Sequence, residues 1–108
     1  MNFVKVTGIN NKHRVLVYAL STCVHCKEAM QFLRERNVEF EYVDVDLCSR
    51  EEKHQILRDI LSRRSEQEIQ SDNLKGRTDF AFPKIIIDDK IVITGCDKIR
   101  IQKALELQ

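Results

Sequence analysis

His13-Arg14-Val15-Leu16-Val17-Tyr18-Ala19-Leu20-Ser21-Thr22-Cys23-Val24-His25-Cys26 is the stretch that decides the fold. Its first half is a short apolar run of strand-forming residues, read as a buried central strand that stops at the polar pair Ser21-Thr22. Beyond Thr22 the apolar period changes. Cys26, Ala29, Met30 and Leu33 recur at i, i+3, i+4 and i+7, which places them on one face of a helix. Thr22 is the expected N-cap and Asn37 the left-handed stop.

Working outward, Val38 to Asp46 returns to strand character, and Ser49-Arg50-Glu51-Glu52 forms a capping box. That box opens a second helix with an apolar stripe of Ile56, Leu57, Ile60 and Leu61. Phe82-Pro83-Lys84-Ile85-Ile86-Ile87 reads as a strand entered through a proline, with Ile91-Val92-Ile93 as its hairpin mate across Asp88-Asp89-Lys90. Asp97 is placed to cap a last helix carrying Ile101, Ala104 and Leu105. At the other end, Phe3-Val4-Lys5-Val6 alternates and predicts an extra N-terminal edge strand. The order β-α-β-α-β-β-α specifies an α/β fold, a four-stranded mixed sheet with helices on both faces. Residues 1–108 form one domain with a polar insert at about 62–79, where Ser65 and Glu68 suggest a short capped helix.

Composition narrows the function. The chain has 108 residues, 43% hydrophobic and 32% charged, with a net charge of +1. A nucleic-acid binder needs a basic excess gathered on one face, so none is expected here. No apolar run approaches a membrane span and no export signal opens the chain, so a cytoplasmic location is expected. The four cysteines then point to redox or metal chemistry rather than to a structural disulfide frame.

Cys23 and Cys26 stand at a strand-to-helix junction. A thiol there meets backbone N–H groups lacking helical partners and the positive end of the helix dipole, which favour the thiolate. Cys23 is therefore the expected attacking group and Cys26, shielded on the inner face, the resolving one. His25, between them, is expected to donate to the Cys23 sulfur, the alternative being a ring in solvent. Zinc is the competing use of such a pair, with thiolate and imidazole ligands. A zinc site wants four ligands, and one helix turn poorly presents Cys23, His25 and Cys26 together, so no metal is expected.

These features resemble the glutaredoxin family of the thioredoxin superfamily over about residues 14–106, apart from the insert. Thr22-Cys23-Val24-His25-Cys26-Lys27, Ala81-Phe82-Pro83 and Ile93-Thr94-Gly95-Cys96-Asp97-Lys98 carry the likeness, in order. The resemblance implies a thioredoxin-like fold, a cis Pro83, and a thiol-disulfide oxidoreductase whose redox-active disulfide Cys23–Cys26 carries electrons. It places substrate contacts at Thr22, Phe82, Pro83, Gly95, Cys96 and Asp97, with backbone N–H groups near Gly95 and Asp97 meeting a carboxylate such as that of glutathione. It implies no prosthetic cofactor. The expected partners are disulfide-containing proteins, an electron-donating reductase and glutathione as co-substrate, on a monomer.

The departures bear on the reductant. Leu20 stands where glutathione-using members carry a basic residue, Thr94 replaces the first glycine of a pair, Lys98 an acidic residue, and Val24-His25 a Pro-Tyr dipeptide. These favour a protein reductase as electron donor. Lys84 is either a displaced positive charge or an exposed strand residue. Arg77, Asp79 and Phe80, just upstream of Pro83, either border a substrate groove or are solvated. Cys48 reads as a small buried hydrophobe, and Cys96 as the same or as an auxiliary thiol. An iron-sulfur carrier and a redox-sensing interaction module are the remaining alternatives.

Overall fold

The computed structural model describes residues 3–62 and 82–106. The strands are β1 (Val4–Val6), β2 (Val15–Ala19), β3 (Phe40–Asp44), β4 (Lys84–Ile87) and β5 (Ile91–Thr94). The helices are α1 (Val24–Glu35), α2 (Arg50–Ser62) and α3 (Lys98–Ala104), with a 3-10 turn at Val45–Leu47. The sheet order is β1-β3-β2-β4-β5. Among the described strands only β2 and β3 run parallel, with Ala19 opposite Asp44; the remaining pairs are antiparallel. The sheet thus has five strands, the alternating Val4-Lys5-Val6 adding an edge beside β3.

Alternation sends the side chains of β2 and β4 to two cores. Val15, Val17, Ala19, Ile85 and Ile87 pack with α1 and α3 through Cys26, Ala29, Leu33, Ile101 and Leu105. Tyr18, Ile86 and Val92 pack with Ile56 and Ile60 of α2 on the opposite face. Leu61, assigned to the same stripe from its spacing, is 42% exposed. It lies in the last turn of α2.

Local chemistry sets the joints. Ser49 Oγ accepts the Glu52 N–H at 3.2 Å and the Glu52 carboxylate accepts the Ser49 N–H at 2.9 Å, the reciprocal capping box expected of that sequence. Asn37 ends α1 at φ 56, and Asp88 and Asp89 turn the β4–β5 hairpin at φ 54 and 58, the left-handed region that Asn and Asp tolerate best among residues with a Cβ. Gly8 is required for a different reason: a Cβ there would lie 2.8 Å from both the Asn37 carbonyl carbon and the Glu39 nitrogen.

The strand after α1 is shorter than the apolar pattern. Val38 makes only an isolated bridge to Asn10, and β3 closes at Asp44. Val45 remains apolar because it packs on the α2 face from the 3-10 turn. The polar insert expected at about 62–79, including the Ser65–Glu68 cap, lies outside the described residues from residue 63 onward. Among the described residues no helix is long and apolar enough to cross a membrane.

Among the described residues, four carboxylates are held below their usual range, each by a hydrogen bond first. Asp46 is lowered by Ser21, Glu52 to about 2 by the Ser49 N–H, Asp88 by His13 and Glu106 by Lys12. A group whose folded value is depressed stabilises the fold above its unfolded value, ~3.9 for Asp and ~4.3 for Glu, and loses that contribution as pH falls through the folded value. Urea midpoints are therefore expected to stay level from neutral pH down to about pH 5 and to fall steadily below about pH 4. Midpoints that rise on acidification would contradict this set of contacts.

Candidate functional site

Cys23 leaves the turn that follows β2, its N–H donating to the Leu20 carbonyl at 3.1 Å. It is itself the N-cap of α1, at φ −88 and ψ 116, with its Sγ accepting the Cys26 N–H at 3.2 Å. The expectation that Thr22 caps this helix is therefore corrected. The helix starts one residue later than a hydroxyl cap would require, and the sulfur does the capping. A half-buried Cys23 thus has a backbone donor aimed at its sulfur from the first turn, where N–H groups lack helical acceptors.

Cys26 has no exposed surface. Burial first, then the adjoining Cys23 sulfur, pushes its thiol up to about 12, against a backbone hydrogen bond from Leu20 that pulls it down; Asp44 adds to the rise. Position 23 is accessible and position 26 shielded, an asymmetry that suits attack followed by resolution. His25 lies exposed on the first turn of α1. Among the described residues no hydrogen bond joins it to the Cys23 sulfur, so the expected donation is not present. The Cys26 N–H occupies that role instead.

The Phe82-Pro83 bond is cis, as the resemblance implied. The Phe82 carbonyl lies 4.0 Å from Cys23 Sγ, which brings the entry to β4 against the cysteine. Gly95, at φ 86, donates its N–H to the Pro83 carbonyl at 2.9 Å. That amide is consumed inside the chain, which removes it from the donors expected to meet a carboxylate ligand. Asp97 caps α3 by accepting the Arg100 N–H at 3.1 Å, as its position predicts. Cys96 is half-buried against the α1 core, and burial pushes its thiol up; burial does the same to Cys48, whose sulfur lies 3.5 Å from the Asp44 carbonyl. Thr22 is exposed beside Cys23.

Lys84 is not an exposed strand residue. It is fully buried, with Nζ 3.0 Å from Thr94 Oγ1. All four residues of β4 are buried, because the sheet carries a helix on each face there. Leu20 lies in an apolar groove of about 270 Å³ with Val45, Ile56, Leu57 and Phe82, while Asp46 and Lys53 also reach its lining. Arg77, Asp79 and Phe80 lie outside the described residues. Among those described, no cluster of His, Cys, Asp and Glu is arranged to hold a metal ion.

Two carboxylates escaped sequence reasoning. Asp46 fixes the turn before Cys23 by accepting the Ser21 N–H at 2.8 Å and the Ser21 hydroxyl. Asp44 ends β3 beside the same turn. Their only sequence signal is an Asp-x-Asp pair at a strand end, with nothing to name a partner 25 residues away.

The glutaredoxin family profile matches residues 15–92. Glutaredoxin 1 of Rickettsia conorii is 31% identical over 103 residues, spanning 89% of this chain and 84% of its own. Among solved structures, a glutaredoxin from Methanosarcina mazei superposes with a TM-score of 0.72 at 29% identity, covering 95% of this chain and 86% of that one. Methanoredoxin from Methanosarcina acetivorans gives 0.70 at 34% identity, covering 91% and 88%. The chain belongs to the glutaredoxin family of thiol-disulfide oxidoreductases, with Cys23 and Cys26 as its Cys-x-x-Cys pair.

Proposed function

We propose that this chain reduces protein or low-molecular-weight disulfides by dithiol exchange and is recharged by a protein dithiol rather than strictly by glutathione. The Cys23 thiolate attacks a substrate sulfur, forming a mixed disulfide and expelling one thiolate. Cys26 then attacks Cys23 Sγ, which releases the reduced substrate and leaves the Cys23–Cys26 disulfide. Each cycle passes two electrons and needs no prosthetic group. We assign this work to a reducing, cytoplasmic compartment and to a monomer, where Cys48 and Cys96 stay as thiols.

The observation that carries the choice of reductant is Leu20. It packs into the apolar groove with Val45, Ile56 and Phe82, so the position that would pair with a glycyl carboxylate offers hydrocarbon instead. Lys84, the replacement charge that the sequence offered, is fully buried with its Nζ 3.0 Å from Thr94 Oγ1 on the neighbouring strand. An ionised carboxylate set against Leu20 would lose water against hydrocarbon, and the one cation among the described residues lining that groove, Lys53, shares it with the Asp46 carboxylate. A polypeptide chain lying extended along Phe82 would instead bring apolar side chains to the groove and its backbone to the strand entry.

The test is the rate at which the oxidised protein is reduced by glutathione and by a reduced thioredoxin-type protein kept charged by its flavoenzyme. The protein dithiol is expected to be faster by at least about tenfold at equal thiol concentration. Leu20→Lys is expected to raise the glutathione rate several-fold, since an exposed charge pair contributes on the order of 1 kcal/mol. Equal rates for the two reductants, with Leu20→Lys unchanged, would overturn this reading.

A further inference from the structure

The resolving step leaves a proton without an assigned acceptor. Cys26 is fully buried and its thiol is held protonated, yet it must be a thiolate to attack. Once Cys23 is tied up in a mixed disulfide, that sulfur cannot take the proton. We propose that the Asp44 carboxylate is the proton acceptor for Cys26, working through water from the cavity between the flank of α1 and the end of β3; this rests on Cys26 being the resolving thiol.

The geometry comes from the parallel strand pair. Asp44 is the last residue of β3 and stands opposite Ala19, the last residue of β2. From Ala19 the chain passes through Leu20 and Ser21 to Cys23, so Asp44 is delivered to the level of the cysteine turn. Asp44 lines an open cavity of about 430 Å³ with Leu20, Ser21, Lys27 and Met30. Cys26 lies next to Lys27 and one helical turn before Met30 on the buried face of α1. A cavity of that size has room for bridging water, whose share of liquid volume is ≈ 30 Å³.

The charges around Asp44 come from every neighbouring element. Lys27 and Arg34 of α1 share its cavity, Asp46 follows on the 3-10 turn, and Cys48 and Glu52 line a second cavity that Asp44 also borders. Burial, then Asp46, raises the Asp44 carboxyl above the ordinary Asp value, and Lys27 opposes them. A raised carboxyl holds a proton better than an exposed one, which narrows the gap to the thiol it must accept from.

The step balances. Asp44 takes the Cys26 proton as the Cys26 sulfur bonds to Cys23 Sγ. The bond from Cys23 Sγ to the substrate sulfur breaks, and the substrate leaves as a thiolate carrying the electron pair. Asp44 then returns its proton to solvent.

Charge alone and proton transfer predict opposite signs. Asp44 raises the Cys26 thiol electrostatically, so if charge were its whole effect Asp44→Asn would speed ring closure. As proton acceptor, its loss slows closure. Reduced protein with Cys48→Ser and Cys96→Ser is mixed with one equivalent of the aromatic disulfide dithiobis(nitrobenzoate). The first thionitrobenzoate is released by Cys23 attack and the second by Cys26 closure.

Asp44→Asn is expected to leave the first release unchanged and slow the second about a hundredfold at neutral pH. Asp44→Glu should recover most of that loss. The second release of the unsubstituted Asp44 protein should level off with rising pH, whereas in Asp44→Asn it should climb about tenfold per pH unit as hydroxide takes over. An unchanged or faster second release in Asp44→Asn would overturn the proposal. Should that variant fail to fold, a second release that climbs without levelling when Asp44 is present would do the same. Absence of any second release with Asp44 present would instead overturn the resolving role of Cys26, and the acceptor role with it.

Discussion

Cys23→Ser is expected to abolish disulfide reduction, by at least about a thousandfold, while leaving the fold intact. A serine hydroxyl stays protonated at any pH where the protein is folded and cannot form the sulfur–sulfur bond on which exchange depends. The loss is chemical rather than structural, because Cys23 caps α1 through its side chain and serine is among the best N-cap residues. Cys26→Ser separates the two steps. It keeps the attacking sulfur, so it should form the mixed disulfide and stop there. Intact-mass measurement after exposure to a small disulfide reads both results: one stable adduct, mapped to Cys23, for Cys26→Ser, and no adduct within the pair for Cys23→Ser. An adduct mapped to position 26 in Cys23→Ser, formed at the rate of the unsubstituted chain, would reverse the assigned roles.

Leu33→Ala should have the largest effect on stability. Leu33 is fully buried on the inner face of α1 among Val17, Phe40 and Ile85. Truncation loses the transfer of several methyl and methylene groups and leaves a cavity that a two-helix, one-sheet packing cannot collapse into. The expected cost is about 3 kcal/mol, within the ~2–5 range for such sites. For a domain of this size that lowers Tm by roughly 10–25 °C. Thermal unfolding followed by circular dichroism measures it, and a change under about 3 °C would mean that α1 repacks freely. The same variant should make Cys26 reactive toward iodoacetamide, since the helix that shields it is then loosely seated.

The junction of β2 with α1 was legible because two signals coincide in a short stretch. A β-rich apolar run gives way at Ser21-Thr22 to a 3.6-residue period starting at Cys26. The hairpin and the capping box were legible for the same reason, each being a local rule written in adjacent residues. The end of β3 was not, since Val45 is apolar for the sake of the α2 core after the strand has already stopped. Lys84 misled in a related way. A lysine in a strand ordinarily marks a solvated face, but this strand is covered on both sides and Thr94 on the neighbouring strand receives the ammonium. The cap at Cys23 rather than Thr22 turns on a shift of one residue, which hydroxyl preference alone decides wrongly. Asp44 and Asp46 reach the site only through the parallel pairing of β2 and β3, and pairing between distant strands is invisible in a local window.

Because Cys23 caps α1 with its sulfur, the reduced pair and the start of the helix are thermodynamically linked. When Cys23 carries negative charge, the Cys26 N–H and the positive end of α1 stabilise it; once that sulfur is bonded to Cys26, the charge is gone and this stabilisation goes with it. Free energy that favours the dithiol over the disulfide is driving force for accepting electrons. The cap therefore biases the protein toward the oxidising end of its range, and residues that strengthen or weaken the first turn of α1 tune its reduction potential without touching either cysteine.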